Sequence, residues 1–206
     1  MRKERRDESG QLLELEADPA SAEDVADAST AGLTLVRCVE QLRVALPLPS
    51  EESLLATRPF VPGADDDAFL TVNNRAFAWH LDQSNWTVAD LRKRIDESWF
   101  DPNGFLLHEV NGKLAGFCWT KIHPETDCDP ELGEIFVIAV DPEFHGQGLG
   151  RALTHSGLAS LWSRSVQTGM LHVEHDNVAA QSLYRDLGFH LHNRHCWWAK
   201  SESAAT

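Results

Sequence analysis

The run from Gly133 to Arg151 constrains this chain more than any other stretch. The apolar residues Ile135, Phe136, Val137, Ile138, Ala139 and Val140 lead through Asp141-Pro142 into His145-Gly146-Gln147-Gly148-Leu149-Gly150-Arg151. A short continuous apolar run bounded by turn residues reads as a buried strand. Glycines placed directly after such a strand leave backbone N–H groups free to converge on an oxyanion, and a helix starting near Leu149 adds the positive end of its dipole. The arrangement points to a pocket for an anionic phosphate. Alternating glycines alone are equally an ordinary turn, so the flanking strand and helix give the motif its meaning.

Two phosphate loops can be tested on the same residues. A P-loop ends in Lys followed by Ser or Thr, and this one ends Gly150-Arg151-Ala152. A dinucleotide fingerprint needs GxGxxG and an acidic residue about 20 positions on. Here the third glycine comes one residue early, and Glu174 and Asp176 lie late. Neither motif fits.

Composition bounds the remaining classes. A net charge of −14 argues against broad nucleic-acid binding, which needs clustered Lys and Arg, and is compatible with a cationic amine substrate. No apolar run approaches the ~18 to 20 residues that span a bilayer. Basic Arg2-Lys3-Glu4-Arg5-Arg6 is followed by Asp7-Glu8-Ser9-Gly10 rather than the apolar core of a signal peptide, so the expectation is a cytoplasmic protein without membrane partners. Cys38, Cys118, Cys128 and Cys196 are far apart and lack zinc-like spacing, which favours reduced, mostly buried thiols. Strand alternation accounts for His190 and His192, and no metal is expected.

Residues 1–31 are polar and acidic and read as a disordered tail, with a short helix around Leu12 to Ala17. Residues 32–56 mix strand-like apolar positions (Leu33, Leu35, Val39, Val44, Leu46) with a Pro47, Pro49 and Ser50 linker. One domain is expected over 57–200, with a tail at 201–206. Arg58 to Val61 reads as a first strand, and Asp65 or Asp66 caps a helix with Phe69, Val72, Ala76 and Phe77 on one face. Thr87 with Asp90 forms a capping-box pattern. Phe105 to Val110 and Leu114 to Ile122 are strands joined through Asn111-Gly112, a strong hairpin signal. Then follow a central strand Glu134 to Val140, a helix with Leu153, Gly157 and Leu161 inward, a strand Met170 to Glu174, a helix Val178 to Leu187 capped by Asn177, and closing strands Phe189 to Trp198. The fold class is α/β, of α+β type, with a mixed central sheet and helices on both faces.

Val140-Asp141-Pro142, His145 to Gly150, Asn177-Val178-Ala179-Ala180, Leu183-Tyr184 and Leu187-Gly188-Phe189 resemble the GNAT superfamily of acetyl-CoA-dependent N-acetyltransferases. Further stretches resemble one family within it, the mycothiol synthases, in their C-terminal, catalytic half. These are Asn73 to Phe77 with Asp82-Gln83 and Trp86-Thr87, Trp99 to Pro102 with Gly104-Phe105, Gly116-Phe117 with Trp119-Thr120-Lys121, and Val173-Glu174 with Asp176-Asn177. The resemblance implies acetyl transfer from acetyl-CoA to the cysteinyl amine of a pseudodisaccharide thiol, a small-molecule substrate. That family carries two such domains in tandem, and one is visible here. Gly32 to Arg37 faintly echoes Gly188 to Leu191. It reads either as the end of a first repeat in a chain that is a piece of a longer protein, or as two unrelated strand ends that share a glycine.

By the same resemblance, Glu134 is the general base and Tyr184 the general acid toward the CoA sulfur. Ile138, Ala139 and Val140 offer backbone to the pantetheine arm. His145, Gly146, Gln147, Gly148, Leu149, Gly150 and Arg151 bind pyrophosphate, and Asn177, Val178, Ala179, Ala180, Gln181 and Ser182 line the other side of the cofactor. Asp82, Lys121, Glu134 and His172 fall where the family binds its sugar thiol. This chain departs from the family pattern in three places: His145 replaces Gln or Arg, Asp82 replaces a glutamate, and His172 replaces a tyrosine. The competing readings are acetylation of another amine, such as a protein N-terminus or polyamine, and a non-catalytic acetyl-CoA-binding module. Oligomeric state is not legible.

Overall fold

Asn111 and Gly112 both adopt positive φ, 53° and 75°, and turn strand β5 (Phe105–Val110) back into β6 (Lys113–His123). This is the turn that Asn-Gly announces. A computed structural model describes residues 1–49, 54–78 and 84–201, and two compact units emerge from it. One is Val44–Met170; the other is Met1–Arg43 with the chain from Leu171 onward. The fold is α/β, and among the described residues no helix is long and apolar enough to cross a membrane.

In the Val44–Met170 unit, β7 (Leu132–Val140), β6, β5 and the short β4 (Arg58–Pro59) lie side by side, all antiparallel. Alternation along β6 sends Phe117 and Trp119 to one face, where α2 (Asp66–Ala76) and α3 (Val88–Ile95) cover them with Phe69, Leu70, Val72 and Leu91. Helix α3 starts at Thr87, whose side chain and that of Asp90 cap each other's backbone N–H groups, as the sequence pattern indicates. Asp65 stands at the start of α2 but makes no side-chain cap; its carboxylate instead takes Arg58 and the Val61 N–H.

The other face of β6 receives α4 (Leu149–Ser163). Its inward positions Leu153, Gly157 and Leu161 include a glycine for a specific reason. A Cβ on Gly157 would stand 2.4 Å from Cys118 Sγ, so only glycine lets helix and strand approach this closely.

In the other unit, β1 (Arg2–Arg6), β2 (Leu12–Ala17), β9 (His190–Ala199) and β3 (Thr34–Ala45) form an antiparallel order. Residues 1–31 are therefore not a disordered tail, and Leu12 to Ala17 is a strand rather than a helix. Polar composition hid the order because the polar residues pair with each other. Lys3 bridges Glu16, Arg5 bridges Glu14, and Arg2 reaches Asp24 and Asp27 on α1 (Ala22–Thr30), itself opened by a Ser21–Asp24 capping box. Leu12, Leu15, Ala17 and Ala28 supply the apolar side, packed with Leu33 and Trp198.

The expectation of reduced thiols is also corrected. Cys38 and Cys196 are direct partners in the β3–β9 register and are joined as a disulfide. At a sequence separation of 158, only the strand pairing reveals the contact. Cys118 and Cys128 are free.

Candidate active site

Lys121 and Glu134 are register partners on β6 and β7, so their side chains share one face of the sheet. The Lys121 ammonium lies 4.7 Å from the Trp99 ring centroid and 5.9 Å from that of Phe136, within cation–π range. Glu134 is buried, with 8% of its surface exposed, and its Oε2 lies 2.7 Å from His123 Nε2. The pairing register shifts between Trp119–Val137 and Thr120–Ile135, leaving Phe136 as an extra residue on β7. Such a bulge re-aims side chains, and here it brings the Phe136 ring edge-on to Trp99 and Trp119. Among the described residues, a carboxylate, an imidazole and an ammonium thus gather on an aromatic floor.

At the far end of β7, Ile138, Ala139 and Val140 pair with Cys118, Phe117 and Gly116. The chain then turns through Asp141, whose buried carboxylate caps the Glu143 N–H and is bridged by Arg75 at 3.0 Å. Gly146 and Gly148 both sit at φ 77°, with Gly148 as the cap residue of α4. No side chain caps that helix, and its first intrahelical bond runs from Ala152 N–H to Gly148 O. The first turn of a helix is where backbone N–H groups and the dipole meet an anion. A Cβ at Gly146, Gly148 or Gly150 would touch nothing within 4 Å, which leaves room for a ligand to approach the backbone. His145 folds back so that Nε2 lies 3.0 Å from the Val140 carbonyl, bracing the loop. Gln147 is exposed.

The remaining expected residues belong to the other unit. Helix α5 (Val178–Asp186) is capped by Asn177, whose Oδ1 accepts the Ala180 N–H. Val178, Ala179 and Ser182 are exposed, and Ala180 is half-buried. Gln181 turns inward and donates to Glu40 Oε2 at 2.7 Å. Tyr184 is buried, its ring 5.6 Å from Phe189. Burial pushes the Glu40 carboxyl up, but hydrogen bonds from Arg194, Gln181 and His175, with the Arg194 charge, outweigh it and hold it below the usual carboxylate range. This network ties α5 to β3 and β9. His172, on β8 (Thr168–Glu174), is exposed beside Gln41.

The structure thus brings Lys121 and Glu134 together with two residues outside the sequence-derived set, His123 and Phe136. His123 had a signal: it stands two positions after Lys121, on the same alternation. The bulge at Phe136 had none. Asp82 lies outside the described residues, and Trp119 is fully buried in the core. Cys118 is no nucleophile, because burial pushes its thiol up to about 12.

A family model described as the acetyltransferase (GNAT) family matches residues 73–189. Curated relatives named mycothiol acetyltransferase include that of Thermobispora bispora, 48% identical over 163 residues that cover 77% of this chain and 55% of the relative. The one from Pseudarthrobacter chlorophenolicus is 50% identical over 143 residues, 69% of this chain and 43% of the relative. The chain spans about half the length of the curated relatives it matches. Among solved structures, a GCN5-related N-acetyltransferase from Sphaerobacter thermophilus matches with TM-score 0.67 and 24% identity, over 87% of this chain and 56% of that one. The ribosomal-protein-S18-alanine N-acetyltransferase of Escherichia coli matches with TM-score 0.54 and 26% identity, over 73% of this chain and 96% of that one.

Proposed function

The chain belongs to the acetyltransferase (GNAT) family, and on that premise we propose that it transfers acetyl from acetyl-CoA to the cysteinyl amine of desacetylmycothiol, acting in the cytoplasm. The observation that carries this reading is the Lys121–Glu134 cross-strand pair, in a chain whose curated relatives bear the mycothiol acetyltransferase name.

Acetyl-CoA supplies an activated acyl group on sulfur. The backbone between His145 and Arg151 holds its pyrophosphate through the first-turn amides of α4, a fit supported by the uncapped helix start and the open glycines. Ile138, Ala139 and Val140 offer backbone to the pantetheine arm, and Asn177 to Ser182 line its other side. Glu134 takes the proton of the substrate ammonium, directly or through one water, so that the amine lone pair is free to attack. Tyr184 gives its hydroxyl proton to the departing thiolate. Lys121, Asp82 and His172 hold the sugar thiol, with Lys121 anchored on Trp99.

A second reading is acetylation of a different amine. It is favoured by the Escherichia coli structure, of which this chain covers 96% and whose name specifies a ribosomal-protein alanine. Acetyl transfer measured against desacetylmycothiol, polyamines and N-terminal peptides decides between them. Preference for the thiol is expected; its absence would remove the mycothiol assignment.

A further inference from the structure

A polar cluster that the proposed reaction does not use lies within the Val44–Met170 unit. Arg164 closes α4, and its side chain is 24% exposed. Its Nε donates to the Ser160 carbonyl of the last helical turn at 3.3 Å, Nη1 to Asp101 Oδ2 at 3.1 Å, and Nη2 to Thr120 Oγ1 at 2.8 Å. The buried Thr120 hydroxyl in turn donates to the Gly104 carbonyl at 2.8 Å. A Cβ on Gly104 would stand 2.8 Å from Thr120 Oγ1 and 3.1 Å from Arg164 Nη1 and Nη2, so glycine is what lets this backbone reach the cluster. A planar guanidinium engaged through all three nitrogens holds its partners in a fixed relation.

The cluster lies on the face of β6 opposite to Lys121. Thr120 points toward α4, its Cγ2 3.6 Å from where a Gly157 Cβ would stand, while alternation sends Trp119 and Lys121 the other way. The segment Trp99 to Gly104, which leads into β5, touches both faces. Trp99 lies on the Lys121 side, its ring 5.8 Å from that of Trp119 and 5.0 Å from that of Phe136, and Phe100 meets Trp119 edge-on at 5.8 Å. Asp101 and Gly104 are gripped from the α4 side. Asp101 Oδ1 also accepts the Asn103 N–H at 2.9 Å and closes the short turn between them. Among the described residues, Arg164 and Thr120 supply the side-chain hydrogen bonds that reach this segment from elsewhere in the chain.

We propose that Arg164 is a positioning residue for the acceptor: by fixing Asp101 from the α4 face it sets where the Trp99 ring stands, and so where the Lys121 ammonium is held for the sugar thiol. The proposal rests on the reading of Lys121 as a residue that binds the acceptor. The ammonium is 4.7 Å from the Trp99 centroid, and cation–π attraction fades beyond about 6 Å, so a small displacement of the ring releases it. A released lysine stem regains its rotamers, and the acceptor must order it again on binding. No bond is made or broken at Arg164, and its effect is confined to one substrate. The glycine loop before α4 sits at the opposite end of that helix, whose 15 residues span about 22 Å.

The test uses the full chain with acetyl-CoA and desacetylmycothiol, and compares Arg164→Met, Arg164→Lys, Asp101→Asn, Lys121→Met and the double variant of Arg164→Met with Lys121→Met. Arg164→Met should raise KM for the thiol about 3- to 10-fold, with kcat and the KM for acetyl-CoA within about twofold. Lysine cannot engage Ser160, Asp101 and Thr120 at once, so Arg164→Lys should recover only part of the loss. Asp101→Asn keeps an acceptor for the Asn103 N–H and weakens the bond from Arg164, so it should move the same KM in the same direction even where Arg164→Met fails to fold. The double variant should match Lys121→Met alone, because two residues acting on one contact are not additive. Effects that multiply, or an equal rise in both KM values, overturn the proposal. A thiol KM unchanged in Arg164→Met and Asp101→Asn but raised in Lys121→Met removes the role of Arg164 alone; one unchanged in Lys121→Met removes the reading on which it stands. Proton NMR gives a readout without turnover, which decides even for a chain that acetylates no amine. The Trp99 ring current shifts the Lys121 methylene protons upfield, and Asp101→Asn or a folded Arg164→Met should carry them back toward free lysine. Unmoved resonances contradict the coupling.

Discussion

Lys121 stands opposite Glu134 in the β6–β7 ladder, yet its ammonium rests 4.7 Å from the centre of the Trp99 ring. On the proposed function, an ammonium steadied by an aromatic face beside a carboxylate holds the hydroxyl-rich acceptor rather than taking part in proton transfer. Lys121→Met keeps the apolar stem and removes the charge. It should raise KM for the sugar thiol about tenfold, the loss of one charge-assisted hydrogen bond, and leave kcat within about threefold. Steady-state kinetics with the amine varied checks this. A fall in kcat at unchanged KM would place Lys121 in the chemistry instead.

Gly157→Ala sets two effects against each other. Alanine in a helix interior gains about 1 kcal/mol over glycine. The new Cβ, however, would lie 2.4 Å from the fully buried Cys118 Sγ, and overpacking a core costs about 1–3 kcal/mol. The clash should win, so urea denaturation should show a lower midpoint. Adding Cys118→Ala should recover most of the loss; no recovery would mean that the close approach is not what selects glycine.

The Glu40 network predicts a pH dependence with a definite sign. Its carboxyl lies below its ordinary value in the folded chain, so the unfolded state binds more protons in the window between the two values. Its contribution is present above the ordinary glutamate range near 4.3 and is lost as pH falls below it. Glu40→Gln should cost roughly 1–3 kcal/mol at neutral pH, by breaking a buried hydrogen-bonded charge. It should also flatten the loss of stability between neutral pH and acid. A Gln variant with the same acid profile as the wild type would rule this network out as its source.

Cys38 and Cys196 predict a thiol count. Under non-reducing conditions, peptide mass spectrometry should find these two linked. Thiol titration of the native chain should find Cys128 reactive, with Cys118 appearing only on unfolding. Two further reactive thiols after unfolding without reductant would contradict the pairing.

What was legible in the sequence is local. The Asn111-Gly112 turn, the Thr87–Asp90 and Asn177 caps and the glycine loop after β7 each depend on residues within a few positions of one another, and each is found. What was hidden is long-range. Residues of β2 gain order from Trp198 and its neighbours on β9, far away in the chain, so their sparse apolar positions look like a tail until the partner strand is known. His123 and Glu134 meet across a hairpin whose bulge moves the register by one residue at Phe136, and no pattern in the apolar run marks that shift. Lys121 and Glu134 were legible only because their motif resembles a family; their pairing came from the ladder.

The most direct test of the account is acetyl transfer from acetyl-CoA to desacetylmycothiol by this chain, followed by CoA release in parallel with Glu134→Gln. The account predicts an N-acetylated cysteinyl product formed by the wild type and a rate lower by about 100-fold or more in the variant, as expected for loss of a general base. Acetyl transfer at equal rates in the two proteins, or none to this amine by a wild type that turns over another, would contradict it.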